Sequence, residues 1–550
     1  MGGILDSVLL FFHAHPILSA VGALVVTFAF YAGRMGLNIW SNSRSPLRCL
    51  PGPKTNPSII YGHLRQMMMA EDNSVQQSWV KEHGRTLAVR GPWGKWMLLS
   101  TDTRAIQHVT YATHVYHKPP ESAKAIASFL GHEGVLTVEG KSHRNQRRVM
   151  NPAFGFAQLR GMFDIFLEKS LELRDTWNAR CSEAGGTVTV DCLQTLSHAT
   201  LDIIGKAGFG YDFNALGGGS DELLKIFEQL FRKDPSPAAL TRNLVGNIIP
   251  FYTPPDVQAR VKSRAKMNAI TAQLVQEKKR AILASLGTSG KLVKEAMDGK
   301  DLLSLLLQAN LAEDLPAEHK MSDEEVTAQI PTFIVAGHET TASTMTWALY
   351  TLATQSDVQQ KLRDELMEVG SDMPSLEELN ALPYLEAVVR ETLRLHNIVT
   401  FVTREAVADD IIPLSEPVVL NTGEVVRQIQ VRKGDMINVP IRLVNHDNAT
   451  WGSDGDKFRP ERWQNIPSAA SAIPGITPNL FTFIGGPRAC IGHRFAVAEM
   501  KALLFHLVRA FEFSLAVEPG EIYSKSGSLI RPLLRESNKV SMPLILHQLS

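Results

Sequence analysis

Only four cysteines, Cys49, Cys181, Cys192 and Cys490, occur among 550 residues, and no two stand in a C-x-x-C spacing. That is too few for a disulfide scaffold and the wrong spacing for a zinc module. Net charge is missing too. Lys plus Arg and Asp plus Glu are equal at 56 each, which leaves no basic field to hold nucleic acid. No glycine-rich dinucleotide fingerprint follows a strand pattern, so a fused flavin or nicotinamide domain is excluded. Internal repeats and long low-complexity tracts are absent. What remains, 44% hydrophobic and 20% charged, is globular composition, neither disordered nor built of many membrane spans.

One local absence is informative. Ser7 to Gly33 contains no Asp, Glu, Lys or Arg. Its apolar part reaches the roughly 17–25 residues that a bilayer-spanning helix needs. Arg34, Arg44, Arg48 and Lys54 follow it, whereas only Asp6 precedes. The positive-inside rule then keeps the rest of the chain in the cytosol. A cleaved signal peptide would carry its positive charge before the apolar run, not after it. The expected layout is an N-terminal membrane anchor over residues 1–33 (transmembrane over about 9–33), a basic, proline-rich hinge over 34–54, and a catalytic domain over 55–550. In the hinge, Pro51 and Pro53 flank Gly52 and cannot continue a helix.

Apolar periodicity predicts helices over Phe154–Trp177, Asp221–Arg232, Asp256–Ser285, Ser322–Gln355, Val358–Glu368, Leu382–His396 and Arg494–Phe511. Shorter β-rich runs lie at Thr86–Ser100, Phe401–Ala406 and Pro417–Asn438, and Gly217–Gly219 and Gly287–Gly290 read as surface loops. The body is mainly α with small β-sheets.

Three stretches carry chemistry. In Phe483-Ile484-Gly485-Gly486-Pro487-Arg488-Ala489-Cys490-Ile491-Gly492, glycines and a proline force a tight loop just before a helix. A helix N-terminus lowers a thiol pKa and favours the thiolate, which suits a soft metal centre. Taken alone, such a cysteine is as compatible with a buried apolar role or with a nucleophile. The Ser322 helix opens on a capping-box pattern and runs into Ala336-Gly337-His338-Glu339-Thr340-Thr341. Gly, His and paired Thr are poor helix-interior residues, and such a local rule-break marks functional sites. There a glycine admits a ligand to the backbone and a threonine hydroxyl can leave the helix ladder. Glu391-Thr392-Leu393-Arg394 places opposite charges at i and i+3, a pair worth little when exposed.

Together these residues resemble the cytochrome P450 monooxygenases, haem-thiolate enzymes of eukaryotic microsomal, fungal type. Phe483-x-x-Gly486-x-Arg488-x-Cys490-x-Gly492 matches the family's haem-binding pattern at every fixed position. The resemblance implies a cytochrome P450 fold, haem b with Cys490 as axial iron ligand, Arg488 on a haem propionate, and Phe483 shielding the sulfur. His143 and Arg147, with Arg404, would reach the propionates from the helix and strand that carry them; His143 stands where Trp is commoner. Glu391, Arg394 and Arg462 would form a structural charge cluster. Asn397 departs from a proline common there. By the same likeness Thr340 would hold dioxygen at the haem and pass protons, with Glu339 as the neighbouring acid. Phe333, Val335, Ala336, Val399, Thr400, Phe401 and Ser528–Ile530, Leu529 among them, would line an apolar substrate pocket.

The implied activity inserts one atom of dioxygen into a lipophilic small molecule of secondary metabolism, such as a terpenoid, sterol or fatty acyl compound. Electrons would come from a separate NADPH–cytochrome P450 reductase, or cytochrome b5, docking on the basic face of Lys141, Arg144, Arg148 and Arg494. The setting is the endoplasmic reticulum membrane, in contact with lipid. Two rivals remain: a haem-thiolate isomerase or dehydratase acting on peroxides, and a non-enzymatic haem sensor. Relatives of the former kind typically lack the acid–Thr pair, which Glu339 and Thr340 supply.

Overall fold

This computed structural model describes, apart from single positions, residues 44–219, 255–285 and 301–549. The expected anchor, the helix expected over Asp221–Arg232 and the Gly287–Gly290 loop lie outside them, isolated positions excepted. Among the described residues no helix is long and apolar enough to cross a membrane.

The fold is mostly helical with small sheets, and its axis is the helix Gln329–Thr354. Nearly every side chain of this helix from Gln329 to Leu352 is buried, which is why its sequence lacks a polar stripe. The helix does not begin at Ser322 as the periodicity predicts. Ser322 caps a separate short helix, Asp323–Thr327, through a full capping box, and the chain restarts at Gln329. Pro331 explains the break. It has no N–H to bond back, and its ring would clash with the carbonyl of Thr327, so it is accommodated only in the first turn of a new helix.

Cys192–Phe209 packs along the central helix. A Cβ on Gly337 would sit 2.9 Å from Ile204 Cγ1, so any larger residue would wedge the two helices apart. Thr200 adds a hydrogen bond from its hydroxyl to the carbonyl of His338, at 3.0 Å. Gly337 therefore permits this close helix–helix contact.

Phe156–Glu183 packs on His493–Ala510, the helix that follows the cysteine loop, with the rings of Phe166 and Phe495 at 4.6 Å. Pro383–Leu395 supplies the charge cluster. The largest sheet has five strands in the order Thr86–Arg90, Trp96–Ser100, Met436–Val439, Val402–Ala406, Tyr116–His117. Only the pairing of Trp96–Ser100 with Met436–Val439 is parallel there. The expected run Pro417–Asn438 resolves into Met436–Val439 and most of a separate hairpin, Asp410–Val419 with Val425–Val431. A three-stranded sheet sets Pro543–Gln548 between Thr187–Asp191 and Phe511–Leu515.

Candidate active site

The loop before His493–Ala510 is shaped by close approach. Gly486 has φ +76°, and a Cβ there would lie 2.6 Å from the carbonyl oxygen of Thr110. The backbone N–H of Cys490 donates to the carbonyl of Phe483 at 3.0 Å, and Arg147 Nη1 donates to the carbonyl of Ala489 at 2.8 Å. The cysteine is thus held from both sides. Of the four cysteines, Cys181 and Cys192 are buried, Cys49 is half-buried and Cys490 alone is exposed.

Desolvation raises the thiol pKa of Cys490, and the backbone N–H of Gly492 and the charge of Arg147 both pull it back down. A metal taking this sulfur must displace its proton, as for any thiolate ligand.

Around the loop lies a concentration of basic groups. Arg404 is 5% exposed, hydrogen-bonds the carbonyl of Thr403, and is pushed down to about 10, by burial first and by Arg488 second. His143 is buried and pushed down to about 3 by burial and by Arg488, Lys118, Arg147 and Arg144, so its imidazole is neutral. Lys118, which sequence reasoning missed, falls to about 7 through burial and the charges of Arg488 and Arg404. One carboxylate answers them. Glu139 ion-pairs Arg488, accepts from the backbone N–H of Lys118 at 3.1 Å, and lies 4.0 Å from Lys118 Nζ. Arg488 Nε stays buried without a hydrogen-bond partner. Among the described residues Glu139 is the one carboxylate ion-paired with these buried cations, and the propionates of a haem would supply the further anions they call for.

Glu391, Arg394 and Arg462 meet as a sealed cluster. Arg394 binds both oxygens of Glu391 at 2.9 Å, and Arg462 Nε reaches the same carboxylate at 3.4 Å. The N–H of Arg459 and the indole N–H of Trp463 also donate to it, at 2.9 and 3.1 Å. Arg394 spends its other donors on the carbonyls of Asn445, Gly455 and Lys457, and Arg462 on those of Trp451 and Asp454. At Asn397, the amide donates to the carbonyl of Val399 at 2.9 Å, closing the turn where a proline was expected.

On the central helix the Thr340 hydroxyl donates back to the carbonyl of Ala336 at 2.6 Å and has not left the helix ladder. Glu339 is held by Arg531, whose Nε donates to Oε1 at 2.8 Å and whose Nη2 donates to the same oxygen. No local pattern in the sequence marks this pairing. Ala336 is exposed and Val335, Val399, Phe401 and Leu529 are half-buried. Phe333 differs: only 6% exposed, it sits between Phe154 and Phe209, at 5.4 and 6.5 Å, as core packing. Ser528 lies outside the described residues.

An accessible cysteine on a pinned loop, beside a buried cradle for anions, is what a haem-thiolate protein requires. The chain belongs to the cytochrome P450 family, whose profile matches residues 51–538. It is 45% identical to cytochrome P450 monooxygenase 205 of Postia placenta over 91% of this chain and 93% of that one. It is 42% identical to cytochrome P450 monooxygenase 128 of the same fungus, over 97% and 98%. Cytochrome P450 monooxygenase claO of Ampulloclitocybe clavipes is 33% identical over 93% and 94%. The protein is therefore a haem-thiolate monooxygenase of fungal kind, which draws on a redox partner, dioxygen and an organic substrate.

Proposed function

We propose that this monooxygenase is anchored in the endoplasmic reticulum by one N-terminal span, followed by a hinge, with its catalytic domain in the cytosol and Cys490 as axial ligand of haem b. The observation that carries the assignment is the accessibility of Cys490 on a loop pinned by Arg147 and Phe483. When bound, the haem supplies the iron at which dioxygen is activated. The chain's residues do the rest. Arg488, Arg404, Arg147, His143 and Lys118 hold the propionates, and Phe483 covers the sulfur. Thr340 and Glu339 hold and move protons, while Val335, Ala336, Val399, Phe401 and Leu529 exclude water and bind an apolar substrate.

That substrate is a lipophilic secondary metabolite of terpenoid, sterol or fatty acyl type. Electrons arrive from NADPH–cytochrome P450 reductase, with cytochrome b5 as a second donor. The docking face comprises Lys141, Arg144, Arg148 and Arg494, all of which are exposed. Incubating membranes, reductase and a lipophilic extract under labelled dioxygen tests the whole reading. One labelled oxygen atom per product molecule is expected; label-free products, or turnover without NADPH, overturn it.

Two further outcomes are expected. Thr340→Ala removes one hydroxyl and leaves the cysteine loop intact. The variant should keep its spectrum and its NADPH consumption, while product per NADPH falls about fivefold, as for a lost hydrogen bond of about 1 kcal/mol. Unchanged yield per NADPH takes Thr340 out of the proton path. Deleting residues 1–40 should move the protein to the soluble fraction with its haem spectrum preserved. A deletion variant that still sediments with membranes requires a second, interfacial contact.

A further inference from the structure

The acid expected to deliver protons is tied to a segment that forms the wall of the pocket. Glu339 is 7% exposed, and Arg531 gives two donors to one of its oxygens. Arg531 follows Leu529 and Ile530 directly. That stretch is fastened to the opposite wall at two points. Ile530 N–H donates to the carbonyl of Ile398 at 2.9 Å, and the Thr400 hydroxyl donates to the carbonyl of Gly527 at 2.6 Å. Yet the segment is not close-packed against the central helix throughout. A cavity of about 140 Å³ is lined by Trp347, Tyr350, Ile398, Ser524 and Ile530, among others. Glu339 and Tyr350, eleven residues apart, share one face of the helix at 100° per residue. The ion pair and the cavity therefore lie along one seam, where the segment has room to shift.

We propose that Arg531 is a positioning residue that latches Glu339 while the pocket is empty, and that substrate pressing on Leu529 and Ile530 loosens the latch. The proposal rests on the reading of Glu339 and Thr340 as the proton-delivering pair. Two electrons from NADPH, two protons and dioxygen yield product carrying one oxygen atom plus water. Without substrate the same electrons, protons and dioxygen leave as hydrogen peroxide. A carboxylate held by a guanidinium on its own oxygen is a poor proton carrier, because the pairing stabilises the charged form. The latch thus restrains the wasteful branch until a substrate is in place.

The test compares Arg531→Gln, Arg531→Lys, Glu339→Gln and the Arg531→Gln/Glu339→Gln double variant, each first shown to keep the thiolate-type spectrum of the reduced carbonyl complex. Purified enzyme, reductase, NADPH and dioxygen are mixed without substrate, and peroxide release is followed from pH 6 to pH 8. Arg531→Gln should release peroxide about tenfold faster than the wild type, well short of the roughly hundredfold that a positioned proton donor can contribute. Arg531→Lys should restore most of the wild-type behaviour. The double variant should match Glu339→Gln, because a latch with nothing to hold has no effect.

Amide hydrogen exchange over residues 522–535 gives a readout independent of turnover. Glu339→Gln and Arg531→Gln should each raise exchange there, and the double variant no further. If Glu339→Gln leaves product per NADPH unchanged when the lipophilic extract is supplied, the proton-path reading itself fails. If Glu339→Gln lowers that yield but Arg531→Gln releases substrate-free peroxide as wild type does, that reading stands and the latch is overturned. Additive effects in the double variant overturn the latch too.

Discussion

Cys490→Ser abolishes the thiolate-type absorption of the reduced carbonyl complex and lowers oxygenation by roughly 100-fold or more, which asks only about 2.7 kcal/mol of the lost electron push. A serine hydroxyl is far harder to ionise than a thiol. The change removes a sulfur from a loop set by Gly486, Arg147 and the Phe483 carbonyl, all of which remain, so the body should still fold. Cys49→Ser, at a half-buried position far along the chain, serves as the control and should leave the spectrum unchanged. A Cys490→Ser variant with a normal thiolate spectrum would remove the central assignment.

The second large effect falls on stability. Glu391→Gln keeps the size of the side chain but leaves Arg394 and Arg462, both essentially inaccessible, without their shared carboxylate. Breaking a buried pair from one side costs about 3–5 kcal/mol. Against a typical total of about 5–15 kcal/mol, that is most of the margin in many proteins. Haem incorporation and thermal midpoint should fall sharply, with much of the protein insoluble at 37 °C. Lys361→Ala provides the contrast. It removes an ion pair with Glu461 in which both side chains are largely exposed, at 53% and 41%, and an exposed pair is worth at most about 1 kcal/mol. Comparable losses in the two variants would mean that the cluster holds nothing special.

The sequence revealed most where signals are local and periodic. Long helices such as Pro255–Ser285 and Pro383–Leu395 came out within a residue or two of their predicted ends, because one buried face repeats over many turns. The Glu391–Arg394 pair was legible because i and i+3 meet on any helix. Arg462 was placed with it by family likeness, and it comes to the same carboxylate. Local rules failed where a distant element decides. Pro331 divides one periodic stretch into two helices. Gly337 answers to Ile204 on a neighbouring helix.

Partners far apart in sequence were the hardest to foresee. Lys118 stands in Tyr116-His117-Lys118-Pro119-Pro120 with nothing to distinguish it from a surface lysine. Only packing brings it between Arg404 and Arg488. Glu139 and Arg531 are equally ordinary in sequence. A carboxylate and a guanidinium separated by nearly two hundred residues leave no periodic trace, so the link between Glu339 and Arg531 appears only in three dimensions.

The order of the three-stranded sheet bears on how the protein is made. Pro543–Gln548 takes the middle place, so Thr187–Asp191 and Phe511–Leu515 have no direct contact as strands and wait for it. Thr187–Asp191 leads directly into Cys192–Phe209, the helix that packs along the central one. While the ribosome is still adding residues, that strand has emerged but its neighbour does not yet exist, and its edges are open to pairing with other chains. Translation must pass Gln548 before this sheet can close. A messenger that stalls before Gln548 therefore leaves Thr187–Asp191 with an unprotected strand edge, a form suited to capture by chaperones or loss to aggregation.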